Sequence, residues 1–293
     1  MSKVKNQHTV PQTYLREFSQ NGTHLWVYDK IKKSVYGCSI EDIATGGYFY
    51  DSKNLDPIYG DQFLEGILSK LEGAYEPALN ELKANNWHFT ASTREFFLEF
   101  FTIQFIRTKC IRKSIKQMKK DAQEDIISIG GSIDDLIKLG LYDFGLSEQE
   151  EHINYIINPF VFSEVSKDIE KKVWIVSENL SKHVYYTSDH PFSSYPGKVN
   201  EDSDVDFVIP LTPRRAVHLL NEKNVKPELM DSKQFRCLDL NVPRFVNHMQ
   251  VVQSFRQIFS GRNHFRYAQN IISNFPTYAD AEQPKFEIRM YKK

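Results

Sequence analysis

Two long stretches of helical periodicity constrain the fold of this chain more than any other feature of its sequence. Over 61–84 the apolar residues recur at the spacing of one helix face, and a second helix is predicted over 92–120, with Ser92–Glu95 as its capping box. An amphipathic helix buries its apolar face against another element. The two stretches therefore predict a helical region over 61–172.

The sequence pattern changes at Val173. The runs that follow are rich in β-branched and aromatic residues and are separated by turn-forming segments, which predicts an antiparallel meander over 173–177, 183–187, 205–209 and 216–220. Before the helices, a hairpin is predicted from the runs 24–28 and 34–37, and a further strand over 48–50. Helical periodicity returns over 243–260, and a last strand is predicted over 286–291.

These elements predict an α+β fold in which long antiparallel helices pack against a mainly antiparallel sheet. We expect one domain over 1–293, because no internal repeat and no low-complexity linker divides the chain. Its parts are an N-terminal helix and hairpin (8–50), the helical region (61–172), a strand-rich region (173–222) and a C-terminal helix and tail (232–293).

Composition narrows the class of protein. The formal net charge of −1 gives no overall field that would attract nucleic acid or an anionic membrane, so such binding needs a local patch. The cysteines are far apart and lack the spacing of a disulfide framework or a thiolate zinc site. Neither a signal-peptide core nor a stretch of roughly 20 uncharged apolar residues occurs. We expect a cytoplasmic protein without membrane binding, and the oligomeric state stays open.

Several polar residues stand where apolar side chains would be enough for folding. On the second predicted helix, Gln104 lies within the apolar face and Arg107 lies beside it. On the first, Glu65, Glu72 and Glu76 form a stripe along the edge of the apolar face, because their spacing returns to nearly the same azimuth. An ion pair of Arg107 with Glu72 or Glu65 is predicted. It could be a structural tie that offsets desolvation or one wall of a polar pocket.

Two short segments add candidate side chains. His8 precedes Pro11 at a chain reversal, and its imidazole could act as a general base, bind a metal or cap a backbone group. The segment 187–191 ends an apolar strand and places Ser188 and Asp189 on a loop held by a sheet. Asp189 could bind a metal, activate water or cap the turn before Pro191.

The remaining sequence signals are weaker. Basic residues over 109–120 could contact phosphates, although a solvated helix end explains the same charges. Arg214 and Arg215 form a second small basic spot. His248 and His264 lack metal-ligand spacing, and the chain has no P-loop, zincin motif or dinucleotide-binding glycine motif.

Five motifs together carry a resemblance to a known family: 6–18 (NQHTVPQTYLREF), 25–30 (LWVYDK), 104–107 (QFIR), 187–191 (TSDHP) and 210–213 (PLTP). Their order and spacing resemble the prokaryotic family catalogued as domain of unknown function 4238, over about 7–261 of this chain. The opening motif is the most specific. The family has no assigned reaction, so the resemblance implies recurring polar positions rather than a mechanism. Those positions are His8, Gln104, Arg107, Ser188 and Asp189.

The residue types and the resemblance predict a hydrolase that acts on a phosphodiester in nucleic acid or a nucleotide. The local basic patch would bind this substrate. Such an activity would suit a bacterial defence effector. His8 and Asp189 would transfer protons or bind a divalent metal such as Mg²⁺ or Mn²⁺. Arg107 would stabilise phosphate charge, and Gln104 would orient water or substrate. The other residues predicted to bind ligand are Glu65, Glu72 and Ser188.

Two alternatives remain open at this point. In a binding or sensor module, the same residues would form a pocket for a small anionic ligand or a protein partner, and no bond would be broken. In a structural interpretation, they form a buried network that fixes the N-terminal segment against helix and sheet. Convergence of His8, Arg107 and Asp189 in one cleft would favour the enzyme.

Overall fold

The computed structural model describes residues 3–138, 146–196 and 205–280. Within these ranges the helices are α1 (Gln12–Arg16), α2 (Asp56–Tyr59), α3 (Phe63–Ala84), α4 (Ala91–Ile106), α5 (Lys109–Ser128), α6 (Ile133–Lys138), α7 (Glu148–Ile157), α8 (Pro159–Glu170), α9 (Pro227–Ser232), α10 (Asn241–Gln253) and α11 (Arg266–Asn274). The strands are β1 (Asn6–His8), β2 (His24–Asp29), β3 (Ser34–Ser39), β4 (Thr45–Gly47), β5 (Val173–Asn179), β6 (Thr187–Ser188), β7 (Ser193–Pro196), β8 (Val205–Thr212), β9 (Arg215–Leu220), β10 (Gln234–Cys237) and β11 (Gln257–Ser260). The predicted α+β fold is confirmed.

The strands of the described residues form three sheets. A five-stranded sheet has the order β10-β5-β9-β8-β7, a four-stranded sheet has the order β3-β2-β11-β6, and β1 pairs with β4. Pairing is antiparallel in these sheets except between β10 and β5, which run parallel. The prediction of a mainly antiparallel sheet is therefore confirmed, with strands from distant parts of the chain as neighbours.

A large apolar core joins the helices to both larger sheets. Tyr75 of α3 and Phe97, Phe100 and Phe101 of α4 pack in one cluster with side chains from β2, β5, β8, β9 and β11. Burial of such a side chain contributes roughly 1.5–3 kcal/mol. Tyr14 of α1 is fully buried in this core, and its hydroxyl donates to the Pro210 carbonyl at 2.6 Å. The core thus fixes α1 against the sheets.

The predicted single helix over 92–120 is wrong. α4 ends at Ile106 and α5 begins at Lys109, because Thr108 has an extended backbone with φ −85° and ψ 164°. The apolar periodicity continues across this break, so the pattern does not reveal it. The capping box also lies two residues earlier than predicted, since Thr90 and Thr93 form it. The break places Arg107 and Thr108 where two helices meet.

Three other predicted elements differ. Residues 48–50 form turns rather than a strand, and the side chains of Phe49 and Tyr50 are buried beside α3 and α7. Of the predicted strand 183–187, only Thr187 pairs in a sheet, as the first residue of β6. The stretch 243–260 divides into α10 and β11. The strand predicted over 286–291 lies outside the described residues.

The described helices include none with both the length and the hydropathy needed to cross a bilayer.

Candidate functional site

Arg107 is the centre of a buried polar network at the end of α4. Its side chain is 1% exposed, and its Nη1 lies 2.8 Å from Glu72 Oε1 on α3, as the sequence predicted. Its Nε donates to the Tyr50 hydroxyl at 3.2 Å, and its Nη2 donates to the carbonyl of His8. Every guanidinium nitrogen of Arg107 therefore has a partner within the chain.

Gln104 and Arg107 together hold the N-terminal strand. Gln104 Nε2 donates to the Thr9 carbonyl at 3.1 Å, next to the His8 carbonyl that Arg107 binds. The imidazole Nε2 of His8 lies 3.3 Å from the Ile40 carbonyl oxygen, and burial lowers the pKa of His8. The structure thus brings His8, Gln104 and Arg107 together, but His8 meets the two α4 residues through its backbone.

Glu65 differs from its neighbours in this network. Burial, with a further contribution from the charge of Glu72, raises the pKa of Glu65 to about 7, although Arg107 acts to lower it. Its Oε2 and the Oε1 of Gln104 are buried and have no hydrogen-bond partner among the described residues. A carboxyl group that titrates near neutral pH can donate or accept a proton. Glu65 is therefore the group of this network best suited to proton transfer.

Ser188 and Asp189 belong to a second network. Ser188 Oγ donates to Gln250 Oε1 at 2.8 Å. Asp189 is 4% exposed, and its two oxygens accept from the amides of Phe255, Arg256 and Gln257 at 2.8–2.9 Å. Burial raises the pKa of Asp189, while the Gln257 and Arg256 amides act to lower it. The carboxylate therefore stabilises the turn before β11 rather than the turn before Pro191.

The break between α4 and α5 lies between the two networks. Thr108 Oγ1 is 2.7 Å from His190 Nδ1, and burial lowers the pKa of His190 to about 3. Lys109 Nζ donates to the Thr45 carbonyl at 2.6 Å. Among the described residues, no hydrogen bond or ion pair joins Asp189 to His8 or Arg107. The predicted convergence on one cleft is not seen in these contacts.

The structure gives the predicted metal ligands other partners. Across residues 3–138, 146–196 and 205–280, no group of three or more His, Cys, Asp or Glu side chains could hold a metal ion. His8 Nε2 faces a carbonyl, and both Asp189 oxygens accept from amides. Binding of Mg²⁺ or Mn²⁺ by His8 and Asp189 stays a prediction.

The predicted basic patch over 109–120 is largely engaged within the chain. Lys109 binds the Thr45 carbonyl, and Arg112 Cζ lies 3.4 Å from the ring centroid of Phe49. Two further lysines form ion pairs with carboxylates of α7, namely Lys116 with Glu148 and Lys119 with Glu151. Nucleic-acid binding through this patch stays a prediction.

A second candidate site, which the sequence analysis missed, lies where the segment before β6 meets α10 and α11. It is a pocket of about 280 Å³ whose charged side chains are basic; we call it the cationic pocket. The described residues that line it are His183, Val184, Tyr186, Pro243, Arg244, Asn247, His264, Arg266, Tyr267 and Asn270. Because none of these is acidic, the pocket favours an anion.

Two histidines stack in the wall of the cationic pocket. The ring centroids of His183 and His264 are 5.6 Å apart, with 27° between the planes. Burial lowers the pKa of His183, and the nearby charges of His264, Lys182 and Arg244 act in the same direction. Within the described part of the chain, no hydrogen bond involves a ring nitrogen of either histidine. Both imidazoles are available to a ligand.

Hydrogen bonds from three side chains hold the backbone around this pocket. The Tyr186 hydroxyl donates to the His264 carbonyl at 2.6 Å, and the Tyr267 hydroxyl donates to the Arg244 carbonyl at 3.3 Å. Asn247 accepts from the Tyr186 amide at 2.7 Å and is buried. Because each contact joins two of the three lining segments, these hydrogen bonds fix the backbone around the pocket.

Only a faint sequence signal pointed to this pocket. Arg244 and Asn247 are three residues apart on α10, and Arg266 and Asn270 are four apart on α11, so each pair shares a helix face. His183 lies far from both helices in sequence. These short spacings could have identified the two helix faces, but they could not show that the faces lie together in the fold.

Residues 6–264 match a protein family described as "Protein of unknown function (DUF4238)". The matched range contains the polar residues predicted from the sequence and the cationic pocket up to His264, while Arg266, Tyr267 and Asn270 follow it. No curated protein and no solved structure matches the chain.

Proposed function

This chain belongs to the DUF4238 family, whose description names no function, and we propose from its own residues that it is a binding or sensor module for a small anionic ligand. The observation that carries the proposal is the cationic pocket, where two arginines and two imidazoles meet and no described lining residue is acidic. A phosphate or carboxylate group suits these donors, because guanidinium binds both in a planar, bidentate way.

The arginines of the pocket support this proposal by contrast with others. Arg107, Arg215, Arg236 and Arg256 form ion pairs with carboxylates. No ion pair among the described residues involves Arg244 or Arg266, and both residues are exposed. An arginine without an acidic partner keeps its donors for a ligand, and the concave surface favours a small molecule over a flat protein surface.

Phosphate titration at constant ionic strength tests the proposal. We expect inorganic phosphate to raise the melting temperature of the protein, because a ligand that binds the folded state stabilises it. The double variant Arg244→Ala/Arg266→Ala should bind phosphate at least about tenfold more weakly, since a hydrogen bond to a charged group contributes roughly 1.5–3 kcal/mol.

Arg16→Ala is the matched control for one lost arginine, because Arg16 is exposed on α1, and it should keep the full effect of phosphate. An equal rise in melting temperature for the control and the double variant would contradict binding in the cationic pocket.

A second candidate is the phosphodiester hydrolase predicted around His8, Gln104, Arg107 and Asp189. The observation that favours it is Glu65, whose pKa near 7 suits general acid or base catalysis. In such an enzyme Glu65 would transfer the proton. Arg107 and Asp189 would position other groups, because their polar atoms already bind within the chain.

Activity against RNA, DNA and cyclic nucleotides, with Mg²⁺ or Mn²⁺ added, tests this second candidate. Glu65→Gln and His8→Ala should each lower the rate by at least tenfold, whereas Glu76→Gln, an exposed glutamate of the same helix, should not. Full activity in the first two variants would remove the candidate.

A further inference from the structure

We infer that the cationic pocket cleaves a phosphodiester bond of RNA, with His183 and His264 as its acid–base pair; this inference rests on the proposed anion binding and adds a reaction to it. The juxtaposition that carries it is a pair of imidazoles, 5.6 Å apart, beside two arginines that have no acidic partner in the described residues. Phosphodiester cleavage is thus assigned to the cationic pocket and not to the residues predicted around Arg107.

The spacing of the histidines suits one phosphate group. Their rings stack with 27° between the planes, and both residues line the same pocket. The Tyr186 hydroxyl fixes the backbone of His264, and Tyr267 fixes that of Arg244. Two imidazoles at this separation can contact two oxygens of one bound phosphodiester.

The two histidines differ in their surroundings, which separates their roles. His183 is half-buried, and burial together with the positive charges of His264, Lys182 and Arg244 lowers its pKa, which favours the neutral imidazole that can accept a proton. His264 is exposed. We assign His183 as the general base and His264 as the general acid.

The step balances without a further reactant. His183 accepts the proton of the ribose 2′-hydroxyl while the 2′-oxygen forms a bond to phosphorus. The bond from phosphorus to the 5′-oxygen breaks, and protonated His264 donates its proton to that leaving oxygen. Arg244 and Arg266 stabilise the added negative charge on the phosphate oxygens. The products carry a 2′,3′-cyclic phosphate and a 5′-hydroxyl, and exchange with water restores both histidines.

The donors of the pocket favour RNA over DNA. Mg²⁺ usually binds through carboxylate oxygens, and the described lining residues include none. A nucleophile within the substrate therefore suits the pocket better than a water activated by such a metal. Only RNA supplies it, because DNA lacks the 2′-hydroxyl.

A cleavage assay in EDTA tests this inference. The substrate is a short single-stranded RNA labelled at its 5′ end, with DNA of the same sequence beside it. We expect the full-length protein to cut the RNA, leave 2′,3′-cyclic phosphate ends and spare the DNA. His183→Asn and His264→Asn should each lower the rate by about 10²–10⁴-fold. His248→Asn, a partly buried histidine of α10 outside the pocket, should keep the rate.

The outcomes separate this inference from the proposed binding function. Melting temperatures with inorganic phosphate show whether each variant folds and binds. If phosphate stabilises the wild type but RNA stays intact, the cleavage is wrong and the binding function stands. If phosphate has no effect, both are wrong. Cleavage that survives in both histidine variants, or that affects DNA equally, also overturns the inference.

Discussion

Arg107 and the arginines of the cationic pocket, Arg244 and Arg266, are the same type of side chain in opposite surroundings. Arg107 is 1% exposed and shares its donors among a carboxylate, a hydroxyl and a backbone carbonyl. Arg244 and Arg266 are exposed, and no ion pair of the described residues involves them. In the first region the polar groups bind other groups of the protein, whereas in the second they can bind a ligand.

Buried and exposed polar side chains of this protein find different partners. A polar residue inside an apolar helix face attracts attention, yet burial forces it to find partners within the protein. Gln104, Arg107 and Asp189 follow this rule, because each binds backbone groups of another segment. Arg244 and Arg266 are exposed and do not interrupt an apolar pattern, and no ion pair of the described residues occupies their donors.

The largest expected effect comes from Arg107. Arg107→Met should lower the free energy of unfolding by roughly 3–5 kcal/mol, because it leaves the Glu72 carboxylate and the His8 carbonyl without their buried partner. Urea denaturation measures the change, and Arg244→Met is the matched control. Equal denaturation midpoints for the two variants would show that Arg107 contributes no more to stability than the exposed Arg244.

The next effect concerns Asp189. Asp189→Asn keeps the shape of the side chain but replaces one acceptor oxygen with a donor, which then faces an amide among Phe255, Arg256 and Gln257. We expect a loss of about 1–3 kcal/mol. Asp231→Asn, at an exposed position on α9, should leave stability unchanged. If both variants were equally stable in urea, Asp189 would have no structural role.

A smaller effect, with a sign that depends on pH, is expected for Glu65. Its pKa of about 7 in the folded protein lies above the ordinary value of 4.5, so the folded state binds the proton more tightly than the unfolded state. Stability is therefore lost as pH rises from about 4.5 to 7. The side chain of the Glu65→Gln variant cannot ionise. At pH 8 its free energy of unfolding should therefore exceed that of the wild type by on the order of 1 kcal/mol after solvent screening.

Urea denaturation at pH 4.5 and at pH 8 checks this prediction, and the difference between variant and wild type cancels the other titrating groups. Glu76→Gln, exposed on the same helix, should show no such difference. A Glu65→Gln variant that loses stability at pH 8 would mean that ionised Glu65 supports Arg107 instead.

The smallest effect on stability is expected for the arginines of the cationic pocket. Arg244→Ala and Arg266→Ala should each change the free energy of unfolding by less than about 0.5 kcal/mol, because exposed side chains without an ion pair contribute little. The same urea measurements test this. A loss as large as that of the Arg107 variant would show that these arginines also serve the fold.

Much of the fold could be predicted from the sequence, because long elements repeat their pattern. α3 and the hairpin of β2 and β3 lie within a few residues of their predicted bounds. Short elements could not be predicted from the sequence. β4, β10 and β11 have three or four residues each, and only pairing with their neighbouring strands makes them strands. The break at Thr108 escaped because apolar spacing continues across it.

The candidate sites were predictable to different degrees. The Arg107–Glu72 pair followed from helix geometry, because both residues lie on predicted faces of adjacent helices. The cationic pocket could not follow from spacing, because its histidines come from a loop before β6 and a loop before α11. Tertiary pairing of β6 with β11 brings those loops together.

That pairing also governs when the chain can finish folding. β11 lies between β2 and β6, with Ile258 opposite Tyr28 on one side and Ser188 on the other. During synthesis the hairpin of β2 and β3 leaves the ribosome long before β11 is made. The edges of β2 and β6 that pair with β11 therefore stay open until residue 260 has been added. Closing so long a loop is slow, and open edges recruit other chains. A chain truncated before Gln257 should therefore aggregate, and a chaperone that shields strand edges should raise the yield of the complete protein.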